Sequence, residues 1–122
     1  MVKRRMEEIV AGQAAAFNVE ATLRYEEGFP PTVNAPEQTA FAANVASEIA
    51  AEGAVNATVD PEMGAEDFAY FLEKRPGAYL FVGNGDTAGL HQPNYDFDDT
   101  TAPYGASFFA RLVERALPLE GV

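Results

Sequence analysis

Cysteine is absent from this chain of 122 residues, and histidine and serine are scarce. The absence of cysteine excludes disulfides and thiol catalysis, and it fits a reducing compartment without requiring one. The two serines, Ser47 and Ser107, fall inside predicted helices and lack the flanking glycines of a nucleophile elbow. We therefore expect no serine triad within the chain.

Positive charge is also scarce. Lys and Arg total 8 against 19 Asp and Glu, which gives a net charge of −11. Phosphate binding needs clustered basic residues, so we expect no nucleic-acid partner and no docking on anionic lipid. No apolar run approaches the length of a membrane span, and no secretory signal is recognisable, so we expect no membrane association. Cytoplasm is the default expectation for location.

The composition is otherwise that of a globular protein. Hydrophobic residues make up 48% of the chain and charged residues 22%, so extensive disorder is not expected. A compact fold of this size would bury about 65% of the surface that the unfolded chain exposes. The chain is long enough for one ordinary domain or for pieces of two.

The pattern of apolar residues predicts both helices and strands. Helical spacing indicates four helices, at about residues 3–17, 34–51, 65–74 and 99–117. Alternation or a short apolar run indicates three strands, at about residues 19–25, 55–59 and 78–82. Asn34 and Glu37 have the spacing of a capping box at the start of the second helix. These elements predict an α/β fold.

The loop at residues 83–99 holds the only histidine, His91, directly after the predicted buried strand. Four carboxylates lie within eight residues of it, those of Asp86, Asp96, Asp98 and Asp99. Imidazole is a common metal ligand, and carboxylates are its usual companions. The alternative is that His91 only hydrogen-bonds a loop carbonyl, and the residues alone leave both interpretations open.

Three segments, taken in order, resemble the carboxy-terminal signature of a family of metal-dependent amidohydrolases. They are Phe-Pro-Pro-Thr-Val-Asn at 29–34, Met-Gly-Ala-Glu-Asp-Phe-Ala at 63–69, and Gly-Leu-His-Gln-Pro at 89–93 followed by Tyr-Asp-Phe at 95–97. The family includes hippurate hydrolases, N-acyl-amino-acid amidohydrolases, aminoacylases and related zinc exopeptidases. The resemblance extends roughly from Arg4 to Leu117.

The resemblance implies a division of the chain into two parts. Residues 1–28 would be the second half of a ferredoxin-like lid, or dimerisation, domain. Residues 29–122 would be the carboxy-terminal part of an α/β/α catalytic domain like that of zinc exopeptidases. The prolines at 30 and 31 make a stiff connector, which favours a boundary there. The free edge of a lid strand could support a homodimer.

The resemblance also implies an activity, which is hydrolysis of the amide bond of an N-acyl amino acid, such as hippurate, or of a small peptide. The family's water nucleophile is bridged by two divalent ions, zinc, manganese or similar, and one metal ligand corresponds to His91. The other ligands and the general base belong to motifs that this sequence lacks. We therefore expect the chain to be incomplete and inactive alone, and to bind metal weakly or not at all.

Three further positions match places near the family's substrate. Asn34 corresponds to a residue close to the lid hinge, but it could be only a helix cap. Glu66 lies in a loop that shapes the substrate pocket, or is only a first-turn charge. Gly64 lets the backbone approach a ligand, or only makes a turn. The resemblance thus predicts substrate-binding roles for Asn34, Gly64 and Glu66.

Two residues depart from the family pattern. Gln92 and Asp98 stand where asparagine is common, which bears on substrate preference more than on metal binding. The alternative to a hydrolase fragment is a non-catalytic acidic α/β module that binds a partner or oligomerises. Upstream DNA encoding a histidine-aspartate motif and a Glu-Glu pair would distinguish the fragment from the module.

Overall fold

The computed structural model describes residues 1–118 and contains four α-helices there. They are α1 (Val2–Phe17), α2 (Pro36–Ser47), α3 (Ala69–Leu72) and α4 (Ala102–Ala116), and a 3-10 turn at Asp99–Thr101 leads into α4. The final residues of the predicted catalytic part, 119–122, lie outside the described residues. The first and last predicted helices are confirmed within three residues at each end.

Helix α1 ends where the chain turns left-handed at Asn18, whose φ is 49°. Asparagine tolerates this conformation, and its backbone N–H bonds carbonyls of the last turn, so it is a good helix terminator. The apolar face of α1 is largely exposed, and Phe17 retains 73% of its accessible surface. Within residues 1–118, no helix combines the length and the apolar character needed to cross a membrane.

Helices α2 and α4 pack against each other. Ala42 and Val45 of α2 are buried. At the end of this pair the Glu48 carboxylate accepts a 2.7 Å bond from Arg111 Nε and a 2.9 Å bond from Arg115 Nε. Arg115 first and Arg111 second hold the pKa of Glu48 below its usual range. Since all three side chains are partly exposed, this ion pair orients the helices more than it stabilises them.

The three predicted strands are wrong for the described residues. The segments 19–25, 55–59 and 78–82 form no β-structure, so only the helical half of the predicted α/β pattern is present in residues 1–118. A strand exists only where a neighbouring backbone accepts and donates its hydrogen bonds. In residues 1–118 these apolar segments lack that neighbour. Within the described part of the chain, residues 19–25 therefore offer no free strand edge, and the homodimer stays a prediction.

Two of the predicted helices are shorter in the structure. The helix predicted at 65–74 is a single turn, α3, and the helix predicted at 34–51 stops at Ser47. The capping box is also wrong, because Ala35 occupies the N-cap and makes no side-chain cap bond. The Asn34 side chain instead forms hydrogen bonds with the backbone of Tyr79. Pro36 occupies the first turn as expected.

The structure exposes far more surface than a compact domain of its size. Its accessible surface is 10549 Å² for 13.1 kDa. A folded monomer of that mass exposes about 6,400 Å². The burial expected from composition is therefore not reached, and the buried apolar side chains of the described residues are Ala42, Val45 and Ala69. Large apolar side chains stay at the surface on both α1 and α4.

This exposure predicts weak cooperativity for the isolated chain. Because the urea m-value scales with the surface exposed on unfolding, we expect about two thirds of the m-value of a compact 122-residue domain. We also expect the folded chain to bind the dye ANS at neutral pH. Urea unfolding followed by circular dichroism measures the first quantity. A full-sized m-value without dye binding would show that the chain closes over its apolar surface.

Candidate functional site

Asn34 connects the first of the three motifs, residues 29–34, to the apolar segment 78–82. Its side-chain Nδ2 donates to the Tyr79 carbonyl at 2.9 Å, and its Oδ1 accepts from the Tyr79 backbone N–H at 2.8 Å. Beside this pair the Ala35 N–H donates to the Gly77 carbonyl at 2.9 Å. The Asn34 amide thus takes the place of a neighbouring strand at Tyr79. We call this pair of side-chain bonds the Asn34 clamp.

Tyr79 extends the clamp to the second motif. Its hydroxyl donates to Glu66 Oε2 at 2.9 Å, and the other carboxylate oxygen accepts from the Phe68 backbone N–H at 3.2 Å. The Tyr79 and Phe68 rings lie 5.8 Å apart, which adds apolar contact under the polar bonds. The structure therefore brings Asn34 and Glu66, two of the predicted substrate residues, together through Tyr79.

The hydrogen bonds shift the titration of both acidic groups. The pKa of Glu66 lies below its ordinary value, chiefly because the Phe68 N–H and then the Tyr79 hydroxyl stabilise the carboxylate. The pKa of Tyr79 lies above its ordinary value, first because its hydroxyl donates to Glu66 and then because of burial. Both shifts favour one arrangement, an ionised carboxylate that accepts a bond from a neutral phenol.

These shifts predict how stability varies with pH. A lowered Glu66 pKa stabilises the fold above the unfolded pKa of about 4.3, and this is lost as pH falls through the folded value. A raised Tyr79 pKa stabilises the fold below about 10 and is lost as pH rises through the folded value. The stability difference between wild type and Tyr79→Phe should therefore be largest from about pH 5 to 9 and shrink on both sides.

Urea unfolding of both proteins across this pH range measures the difference, and the effect of overall charge cancels between them. Tyr70→Phe is the matched control, because the Tyr70 side chain is half exposed. The control difference should stay flat from acid to alkaline pH. A flat difference for Tyr79→Phe too would contradict the carboxylate–phenol bond.

The remaining predicted substrate residue, Gly64, has no visible structural requirement for glycine. A Cβ atom built there would meet nothing within 4 Å, and Gly64 is not among the glycines with positive φ. It is exposed and two residues before Glu66. In the first motif, the Thr32 hydroxyl is buried without a hydrogen-bond partner among the described residues.

His91 lies in a separate, exposed loop. The Gln92 N–H donates to the Gly89 carbonyl at 3.2 Å, so His91 is the third residue of a tight turn. Its φ is 64°, the left-handed region that few residues other than glycine adopt, although histidine is among the more tolerant. The imidazole is at the surface and is not packed among aliphatic side chains in the core.

A second asparagine closes this loop. Asn84 Nδ2 donates to the Asp96 carbonyl at 2.7 Å, and Asn84 Oδ1 accepts from the Asp98 N–H at 2.8 Å. Asp98 in turn caps the turn into α4, since its Oδ1 accepts from the Thr100 N–H at 2.9 Å. The Thr100 hydroxyl and N–H hold the pKa of Asp98 below its usual range. Aspartate can therefore fill this capping position, as the asparagine common in the family pattern would.

The described residues can supply one ligand of a metal site but not a complete set of ligands. Within residues 1–118 no three His, Cys, Asp or Glu side chains are grouped so that they could hold an ion. The His91 side chain is exposed, so it can bind a metal ion whose other ligands come from outside the described residues. A catalytic zinc site typically needs three protein ligands, which the described residues do not bring together.

Sequence patterns did not indicate Tyr79 or Asn84 as site residues. Tyr79 was predicted only as part of a buried strand, and its bond to Glu66 joins residues thirteen positions apart. Asn84 stands between two glycines, Gly83 and Gly85, at the start of the histidine loop. That placement is the one signal in the sequence that could have suggested a side chain bonding the loop backbone.

Comparison with known proteins gives consistent matches over nearly the whole chain. The profile of peptidase family M20/M25/M40 matches residues 5–115. An Arabidopsis thaliana protein named IAA-amino acid hydrolase ILR1-like 4 is 32% identical over 95% of this chain and 28% of its own length. The hippurate hydrolase of Campylobacter jejuni is 31% identical over 96% of this chain and 30% of its own length.

An uncharacterised hydrolase of Staphylococcus haemolyticus is similarly related, at 31% identity over 93% of this chain. The chain spans 28% to 30% of the length of these curated relatives. No solved structure matches the chain significantly.

Proposed function

Because this chain belongs to peptidase family M20/M25/M40, we propose that it is the carboxy-terminal part of a metal-dependent amidohydrolase. The substrate we propose is an N-acyl amino acid of the hippurate type or a small peptide. Support comes from relatives named hippurate hydrolase and IAA-amino acid hydrolase. We propose zinc, manganese or a similar ion as the metal, with two ions in a complete site.

The observation that carries the proposal is the placement of His91. The imidazole is exposed on a loop whose two ends are tied together, and no complete ligand group surrounds it in the described residues. A side chain held at the surface in a left-handed turn is well placed to complete a site built mostly by other residues. In the proposed enzyme His91 contributes one ligand to a metal ion.

Within the same proposal, Asn34 and Glu66 shape the substrate pocket. The Asn34 clamp fixes the backbone at Tyr79, and Tyr79 fixes the Glu66 carboxylate through its hydroxyl. A negatively charged group held by two donors resists rotation, so it can orient a substrate or a neighbouring side chain. We propose that Gly64, two residues earlier, also lies at this pocket. The metal ions, when bound, would supply an activated water and stabilise the oxyanion.

The large exposed apolar surface supports the view that further polypeptide covers this part of the protein. The accessible surface of 10549 Å² is far above that of a compact chain, and the chain matches about 30% of each relative. We propose that residues 1–28 belong to a lid and dimerisation domain, and that residues from 29 on belong to an α/β/α catalytic domain. The cytoplasmic location stays a prediction from the sequence.

A hybrid enzyme tests this proposal. Residues 5–115 would replace the matched segment of the Campylobacter jejuni hippurate hydrolase, and release of glycine from hippurate would be measured with zinc or manganese present. We expect the hybrid to hydrolyse hippurate or a related N-acyl amino acid, whereas this chain alone should not. A soluble, folded hybrid that hydrolyses none of a panel of N-acyl amino acids would contradict the proposal.

A further inference from the structure

We propose that Asn84 is the positioning residue of the His91 loop. It acts through two hydrogen bonds, to Asp96 and Asp98, that connect the start of the loop to its end. We call this pair of bonds the Asn84 clamp. The inference rests on the proposed role of His91 as a metal ligand. It adds a residue that never touches the metal or the substrate but decides where the imidazole is held.

The geometry of the clamp is specific to an amide side chain. One end donates to the Asp96 carbonyl at 2.7 Å and the other accepts from the Asp98 N–H at 2.8 Å. The asparagine amide carries a donor and an acceptor on one planar group, and glutamine, which has the same group, is a methylene longer. The clamp bridges fourteen positions of the chain, so the intervening residues form a closed loop around His91.

The far side of the clamp is anchored to a helix. Asp98, whose N–H bonds Asn84, uses its carboxylate to bind the Thr100 N–H and hydroxyl, and its carbonyl accepts from the Thr101 hydroxyl. The base of the loop is thus fixed relative to the first turn of α4. A cavity of about 220 Å³ lies beside this junction and is lined by Asn84, Tyr95 and Thr101, among others.

The loop has little else to hold it. His91, Gly89 and Gln92 are exposed, and within the described residues the loop's own backbone bonds are the Gln92 bond to Gly89 and the Tyr95 bond to Gln92. Local turns fix the shape near His91 but do not fix the loop relative to the rest of the chain. The Asn84 clamp fixes the position of the loop, since it connects the segment before the loop to the residues after it.

The Asn34 clamp provides a matched internal control, because it has the same chemistry at a different place. Hydrogen–deuterium exchange of the full chain, followed by NMR, would compare Asn84→Ala with Asn34→Ala. Asn84→Ala should speed exchange by about tenfold at the Asp98 amide and at the hydrogen-bonded loop amides of Gln92 and Tyr95, and leave the Tyr79 amide much less affected. Asn34→Ala should instead speed exchange most at the Tyr79 amide, whose bond it removes.

The NMR signals of the single histidine provide a second measurement, which distinguishes a local change in this loop from destabilisation of the whole chain. Its imidazole resonances are unique, so their chemical shifts and relaxation report on this loop alone. Asn84→Ala should shift them toward those of a free histidine with faster internal motion. Asn84→Asp keeps the acceptor for the Asp98 N–H and loses the donor for Asp96, so it should give an intermediate result.

The outcomes separate this inference from the proposed function. Unchanged loop exchange and unchanged imidazole signals in Asn84→Ala would overturn the positioning role and leave the proposed function intact. Acceleration spread equally to Tyr79 would also overturn it, because the effect would then be general destabilisation. If the clamp behaves as expected but replacing His91 leaves metal retention in the hybrid enzyme unchanged, the proposed ligand role of His91 is wrong and the positioning role falls with it, whereas the hydrolase proposal is contradicted only by an inactive hybrid.

Discussion

Replacing His91 by asparagine in the hybrid enzyme should lower hydrolysis of N-acyl amino acids by at least about a hundredfold, because the proposed metal ligand is lost. Asparagine is the suitable replacement, since it tolerates the left-handed backbone that His91 adopts at φ 64°. The turn should therefore survive while the imidazole disappears. Initial rates at saturating substrate, with circular dichroism as a check on folding, measure this loss.

Gln92→Asn is the matched control for that experiment. It alters the neighbouring residue toward the pattern common in the family, and it leaves the imidazole and the backbone bond from residue 92 to Gly89 in place. We expect its metal dependence to match that of the unaltered hybrid. Equal activity of the His91→Asn variant and the hybrid would show that the histidine is not a ligand.

Asn34→Ala should destabilise the isolated chain by about 1–3 kcal/mol, because it leaves the Tyr79 N–H and carbonyl without partners. Both bonds of the Asn34 clamp are partly buried, so water replaces them only in part. Since a chain with so few buried side chains has little stability to lose, the change should be large relative to the total. Urea unfolding midpoints at constant m-value measure it.

The control for this prediction is Asn56→Ala. Asn56 also uses its side chain, but its bonds at 2.9 and 3.1 Å reach only Thr58 two residues away and are exposed. Its replacement should change stability by no more than about 0.5 kcal/mol. Equal losses from the two variants would indicate that Asn34 acts only through local chain stiffness.

Helices and family membership could be predicted from the sequence because both depend on local patterns. Apolar residues at helical spacing indicated α1 and α4 nearly to their ends, since a helix satisfies its own backbone bonds within one segment. Three short motifs in order indicated the family, and the comparisons confirm membership of peptidase family M20/M25/M40 with hydrolases as relatives, whereas the metal dependence stays a prediction.

Strands could not be predicted in the same way, because their hydrogen bonds depend on residues far along the chain. The segment 78–82 has the composition of a buried strand, yet in residues 1–118 its partner is the Asn34 side chain and not a second strand. Apolar alternation records that a segment suits a sheet. It does not record whether the adjacent strand is available.

The two clamps were unpredictable for a related reason. Asn34 has the spacing of a helix cap, and local bonding competes with long-range bonding for the same amide group. In the structure the long-range bond to Tyr79 is the one that forms, forty-five positions away. Asn84 similarly bonds across the His91 loop. No local pattern distinguishes these asparagines from ordinary turn residues.

The most direct test of the central claim is a count of bound metal per chain after dialysis against zinc or manganese. The claim is that His91 supplies one ligand to a site whose other ligands lie outside the described fold. We expect negligible retention by the isolated chain, two ions in the hybrid enzyme, and fewer in its His91→Asn variant. Stoichiometric retention by the isolated chain, or equal retention by the hybrid and its variant, would contradict the account.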